Sequence, residues 1–179
     1  QALRGYAGKI PEKIQKGDVL HLLNLGGVIG ECTSVNPEVG EPCRVEVLGA
    51  VLTFTELGRR EGKPASIFPG PIPFVDTLPT KMHPTLFVAG TCMSAGKTSA
   101  ACRLIRELTH RGYKVATTKV TGVALRRDSL EMVDHGSLQS VTFTDVGFAS
   151  TTGGDVSNIA KSCLSSLASQ PVDLVVAEL

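Results

Sequence analysis

The sequence predicts an α/β unit built on a parallel sheet, preceded by a small all-β, barrel-like unit. Three observations carry this. Short apolar runs separated by Gly-Gly and Asn-Pro turn signals fill residues 17–58. Pro64, Pro69, Pro71, Pro73, Pro79 and Pro84 then interrupt the pattern. From Leu86 onward, apolar runs alternate with stretches of helical periodicity, as strands joined by helical crossovers would. The expected boundaries are 1–62 for the β unit, 63–84 for the proline-rich segment and 85–179 for the α/β unit.

In the β unit, Val19-Leu20-His21-Leu22-Leu23 reads as a strand. Gly26-Gly27 supplies the positive φ angles of a primed hairpin turn, and Val28 to Thr33 returns. Asn36 to Gly40 is a loop; Cys43 to Val47 and Ala50 to Thr55 read as two more strands. The proline-rich segment cannot continue a helix or a central strand. Two readings of it stay open: a semi-rigid connector, or an ordered arm anchored by Ile67, Phe68, Ile72, Phe74 and Val75.

Leu86 to Ala89 reads as a buried parallel strand. After a glycine-containing turn and Gly96-Lys97-Thr98, the residues Ala101, Leu104, Ile105 and Leu108 recur at helical spacing, and Gly112 is placed to end that helix. Lys114 to Lys119 is a second strand. The polar stretch that follows holds a short helix around Leu130-Glu131-Met132-Val133, and Val141 to Thr144 reads as strand or loop. Asp155 or Ser157 caps a helix through about Leu167, and Val172 to Ala177 forms a third strand ending at Glu178. This order implies a parallel sheet with right-handed crossovers. Three strands are few for such a sheet. It is expected to be incomplete at the C-terminus, and to be completed by a further chain segment or a second copy.

Strand, loop, Gly-Lys-Thr and helix form the P-loop arrangement, in which backbone N–H groups and a helix N-terminus cradle phosphates. The expected phosphate cradle is Thr91, Met93, Ser94, Ala95, Gly96, Lys97, Thr98 and Ser99. Lys97 would reach the terminal phosphates, and the Thr98 hydroxyl would bind Mg²⁺. The register is unusual: the spacing Gly-x4-Gly-Lys-Thr places its first glycine at Thr91, whereas the glycine present is Gly90. The competing explanation is a chance Gly-Lys-Thr at an ordinary helix start. Lys119 and Glu178 fall at the carboxyl ends of parallel strands, where α/β sheets deliver side chains to ligands. For Lys119 the alternative is a strand-end lysine whose stem packs and whose charge reaches solvent.

The segment Gly90-Thr91-Cys92-Met93-Ser94-Ala95-Gly96-Lys97-Thr98 resembles the phosphate loop of dethiobiotin synthetase and its relatives, which share this shifted register. Gly112-Tyr113-Lys114 resembles that family's Gly-Tyr-basic lead into its second strand. Lys119 matches, at the same offset from that glycine, a family lysine at the active site. Glu178 is similar to the family's Mg²⁺-binding glutamate after an apolar strand. Asp128, with Asp134 and Asp145 competing, resembles a second Mg²⁺-associated aspartate; Arg126 and Arg127 are candidate phosphate contacts. The resemblance covers Pro84 to Leu179 and implies Lys97 and Lys119 as catalytic residues, with Thr98, Glu178 and Asp128 holding the metal. Cys92 stands where the family has an acidic residue, and where dimer-forming relatives such as partition ATPases carry a signature lysine. This argues against a lysine-in-trans mechanism. The N-terminal β unit has no counterpart in dethiobiotin synthetase.

Composition bounds the rest. The 179 residues include 42% hydrophobic and 20% charged residues, a globular balance, and a net charge of +1 gives no bulk electrostatic case for nucleic acid or an acidic membrane. Cys32, Cys43, Cys92, Cys102 and Cys163 lack zinc-type spacing, and their odd count favours reduced thiols in the cytoplasm. Cys32 and Cys43 are read as buried free thiols, with a bond between neighbouring strands as the alternative.

The leading functional expectation is an ATP-dependent (or GTP-dependent), Mg²⁺-requiring ligase or kinase that activates a small oxyanion or carboxylate, its acceptor not identified by the sequence. The alternative is an accessory NTPase or switch for cofactor or metal delivery. A module that binds a phosphate-bearing ligand without turnover is a third.

Overall fold

The computed structural model describes residues 5–54, 58, 60–92 and 94–179. The chain divides into two compact units, the first ending at Ile67 and the second running Phe68–Leu179. The expected strand end at Thr55 and the loop residue Met93 lie outside the described residues.

The first unit contains β1 (Tyr6–Lys9), β2 (Val19–Leu22), β3 (Ile29–Val35) and β4 (Arg44–Glu46) in an antiparallel sheet of order β1-β3-β2-β4. A two-stranded ribbon joins β5 (Leu52–Thr53) to β6 (Lys63–Pro64). Strand β1 was not anticipated: Tyr-Ala-Gly-Lys has too little apolar alternation to signal a strand. The β2–β3 turn also differs from expectation. It spans Asn24 to Gly27, with the Gly27 N–H donating to Asn24 O at 3.0 Å and the Gly26 N–H to the Asn24 side chain at 2.6 Å. Of the two glycines only Gly27 has positive φ, because the Asn24 side chain does part of the turning.

The cysteine expectation is corrected as well. Strand β2 lies between β3, which carries Cys32, and β4, which Cys43 immediately precedes. Two inter-strand spacings come to about 9.5 Å, beyond the roughly 7 Å Cα limit of a disulfide. Cys43 is exposed and Cys32 half-buried, so they are not a pair of buried thiols.

The second unit is built on β7 (Thr85–Val88), α1 (Lys97–His110), β8 (Val115–Lys119), α2 (Arg126–Asp134), β9 (Gln139–Thr142), α3 (Val156–Leu167) and β10 (Leu174–Glu178). Its sheet is parallel throughout, with order β7-β10-β8-β9. The sequence counts three clear strands and leaves Val141 to Thr144 open between strand and loop; Gln139–Thr142 forms the fourth strand, β9. Gln-Ser-Val-Thr is too polar and too short to read clearly as a strand. Helix α2 is longer than the four residues anticipated.

Chirality explains the layering. The chain steps from β7 to β8 to β9 in one direction across the sheet and packs α1 and α2 on one face. It then steps back to β10, so a crossover of the same hand puts α3 on the other face. Alternation along the strands divides the core accordingly. Val115, Leu174 and Val176 meet Ala101, Cys102, Ile105 and Met132, while Ala116 and Val175 meet Ile159, Cys163, Leu164 and Leu167. Helix α1 ends where Gly112 (φ 88) allows the Gly112 N–H to reach Thr109 O and the Tyr113 N–H to reach Leu108 O.

Strand β7 is not the buried strand anticipated. It occupies the edge, with Leu86 42% and Phe87 58% exposed. An apolar run alone does not distinguish a central strand from an edge strand.

Residues 70–77 are tied to the rest of the second unit. The N–H groups of Gly70 and Ile72 donate to Val146 O and Asp145 O, and the Val75 N–H donates to Ser162 Oγ at 2.8 Å. Lys161 Nζ donates to Asp76 O at 2.8 Å, and Phe148 takes the rings of Phe68 and Phe74. Gly70 admits no side chain, since a Cβ would collide with the backbone of residues 145–147. These contacts predict that limited proteolysis leaves residues 70–77 intact for as long as α3 survives. Early cleavage there, with α3 intact, would show the segment to be a loose tether.

Candidate functional site

Register brings the candidate residues to one level. Glu178 pairs with Val88 on one side and Lys119 on the other, and Lys119 pairs with Thr142. The carboxyl ends of all four strands therefore form one edge. Alternation directs Lys119 and Glu178 to the same face as Val115 and Val176, the face covered by α1 and α2. Helix α1 begins there with Lys97 and Thr98. Helix α2 presents Asp128, which shares a buried face with Met132 one turn later.

Four side chains meet at this edge. Thr98 Oγ1 donates to Glu178 Oε1 at 3.0 Å. Lys119 Nζ lies 3.3 Å from the same oxygen and also pairs with Asp128 Oδ2. Glu178 is 2% exposed, and its second carboxylate oxygen, Oε2, is buried without a hydrogen-bond partner among the described residues. An unsatisfied buried carboxylate oxygen costs on the order of 1–3 kcal/mol or more. Counting formal charges, the cluster carries two negative groups against one positive.

The loop between β7 and α1 leads into this cluster. Ser94 (φ 60) and Gly96 (φ 86) both adopt left-handed conformations, which turn the chain into α1. Helix α1 has no side-chain cap and no acidic residue in its first turn. Its leading N–H groups and positive dipole end are therefore not neutralised by a side chain of the helix. Lys97 Nζ folds back to donate to Cys92 O at 2.9 Å. The shifted glycine now has a reason: a Cβ on Gly90 would sit 3.0 Å from Lys97 Cγ and 3.1 Å from Cδ. Any other residue at position 90 would require the lysine stem, which lies over it, to give by a few tenths of an ångström. Thr91, Ser94, Ala95, Gly96 and Ser99 are exposed, and Lys97 and Thr98 are half-buried.

The other candidates are not brought in. Asp134 is exposed at the end of α2, and Asp145 uses Oδ2 to hold the Thr142 N–H at 2.8 Å. Arg126 and Arg127 are exposed. Asp155 caps α3 by accepting from the Asn158 N–H. Sequence reasoning missed Gly122, where a Cβ would lie 3.4 Å from Lys119 Cε; Thr151, which opens the small polar loop to Asp155 that the sequence offers as either a carboxylate- or phosphate-binding loop or a plain connection, accepts from the Gly122 N–H through its hydroxyl at 2.9 Å. The signal available for Gly122 was a lone glycine three residues after the strand-end lysine.

The field of the carboxylates reaches the core. Burial first, then the charges of Glu131, Glu178 and Asp128, push the Cys102 thiol from 9.0 to about 11. Burial pushes Cys163 to about 12. Both thiols should resist alkylation at pH 8 in the folded chain, whereas the exposed Cys43 and Cys92 should react; mass mapping reads this directly. An unfolded chain releases these protons near 9.0, before the folded chain does. Deprotonation thus favours unfolding, and the thiols' contribution to stability declines as pH rises from about 9 through their folded values.

The donor set suits a hard divalent cation. A hydroxyl and two carboxylates offer only oxygen, which fits Mg²⁺ better than softer metals. Among the described residues no group of three His, Cys, Asp or Glu side chains could hold a metal ion. A cation here would complete its shell with phosphate oxygens and water, as Mg²⁺ does when bound with a nucleotide. Among the described residues no helix is long and apolar enough to cross a membrane. Comparison with protein-family models, with curated proteins and with solved structures finds no match to this chain.

Proposed function

We propose that the second unit is a P-loop nucleotide-binding unit. It binds ATP or GTP with Mg²⁺ and transfers the terminal phosphoryl group to a small oxyanion or carboxylate, in the manner of dethiobiotin synthetase-like ligases and kinases. The observation that carries this reading is the meeting of Thr98, Lys119, Asp128 and Glu178 beside the loop that bears Lys97. Anion-seeking N–H groups, two cationic side chains and a metal-compatible oxygen set at one sheet edge match the needs of phosphoryl transfer.

Each residue has a role in the reading. The N–H groups of residues 94–99 hold the β- and γ-phosphates. Lys97, released from Cys92 O, neutralises charge that grows on the terminal phosphate. Thr98, Glu178 and Asp128 hold Mg²⁺, which supplies electrostatic stabilisation of the phosphate oxygens. Lys119 aligns the acceptor with the terminal phosphate, so catalysis comes from positioning and charge rather than covalent chemistry. The loop 151–154 adjoins Gly122 and lies on the acceptor side.

Single-turnover reactions with γ-labelled ATP and GTP, run with panels of small carboxylates and oxyanions, test this. Label transferred to a small molecule supports it. Hydrolysis stimulated only by a protein favours an accessory NTPase or switch. Binding without turnover under every condition favours a non-catalytic module.

A further inference from the structure

Lys119 lies among the side chains that would hold a metal. Its ammonium lies between Asp128 Oδ2 and Glu178 Oε1, and Glu178 Oε1 also accepts from Thr98. All three groups expected to hold a cation are therefore already engaged by, or through, a cation of the chain itself. A second observation points to a ligand at the same place. The Glu178 side chain is 3% exposed, yet among the described residues its Oε2 has no hydrogen-bond partner, so the carboxylate has coordinating capacity that these residues leave unused.

We infer that Lys119 is a tethered counter-cation that keeps free divalent metal out of the site, and that it yields when the metal arrives with phosphates. The inference rests on the nucleotide-binding reading of this site. A divalent ion at Glu178 Oε1 would stand within a few ångströms of the Lys119 ammonium, in a buried setting where like charges repel strongly. Lysine and metal thus exclude one another. Phosphates change the balance, because they offer the displaced ammonium new anionic partners while supplying the metal's missing oxygens. Gly122 leaves the space beside Lys119 Cε free of a side chain, and its φ of 133 disfavours any other residue there. No side chain at position 122 then limits a turn of the lysine away from the carboxylates. Metal and nucleotide then enter together, and the lysine turns toward the acceptor only once they have.

The test is a Mn²⁺ titration of the full chain, followed by the electron paramagnetic resonance signal of free Mn²⁺. It is run on wild type and Lys119→Met, each with and without a non-hydrolysable ATP analogue. Wild type alone should leave sub-millimolar Mn²⁺ free, and Lys119→Met alone should bind it about tenfold more tightly or better, as expected when a competing charge is removed. Wild type with the analogue should bind Mn²⁺. If Lys119→Met is unfolded without metal, recovery of its circular dichroism in millimolar Mg²⁺ supports the inference, and no recovery with Mg²⁺ or Mn²⁺ overturns it. Free wild type binding Mn²⁺ as tightly as the variant overturns the counter-cation role while leaving nucleotide binding intact. Wild type that binds no nucleotide removes the release step, and both readings fall.

Discussion

Lys97→Ala is expected to weaken triphosphate binding by about 100-fold in the presence of Mg²⁺. Lys97 would make two charge-assisted bonds to the terminal phosphates, each contributing on the order of 1.5 kcal/mol or more, and about 1.4 kcal/mol is tenfold in affinity. The substitution should leave the fold almost unchanged. In the free chain, among the described residues, Lys97 Nζ bonds only the Cys92 carbonyl, and alanine is a good first residue for α1. Displacement of a fluorescent triphosphate analogue measures the loss. Affinity within a factor of about two of wild type would mean that the Gly-Lys-Thr is an ordinary helix start.

The second large effect is expected at Glu178. Glu178→Gln keeps the shape of a 2%-exposed side chain but removes the charge that, on the proposed reading, would attract Mg²⁺. Lys119 retains Asp128, so the cluster changes from one excess negative charge to balance. Nucleotide affinity without metal should hold steady, while the gain from adding Mg²⁺ should shrink about tenfold or more. Comparing the two affinities for wild type and variant isolates this coupling. Equal loss with and without Mg²⁺ would make Glu178 a structural residue rather than a metal ligand.

Much of the second unit was legible because its signals are local. Gly112 ends α1, Asp155 starts α3, and Val172 to Glu178 is apolar enough to read as a strand from sequence. Lys119 and Glu178 could be singled out because strand ends in parallel sheets share one edge. Their convergence with Thr98 follows from register, Glu178 against Lys119, that no single strand announces. Asp128 competed in the sequence with Asp134 and Asp145 for the same role. Only packing distinguishes it, through the buried face it shares with Met132. The exposure of β7 was not legible and β9 was left open between strand and loop, since strand order and pairing are long-range properties. Gly90 looked like a defect in the motif until the Lys97 stem was seen to lie against it. In the first unit the turn depended on the Asn24 side chain, which the paired glycines masked.

Calorimetric titration of the wild-type chain with ATP and with GTP, each in the presence and absence of Mg²⁺, tests the central claim most directly. The account predicts saturable binding of at least one of them at one site per chain, tightened by Mg²⁺. No binding of either nucleotide at millimolar concentration, with or without Mg²⁺, would contradict it.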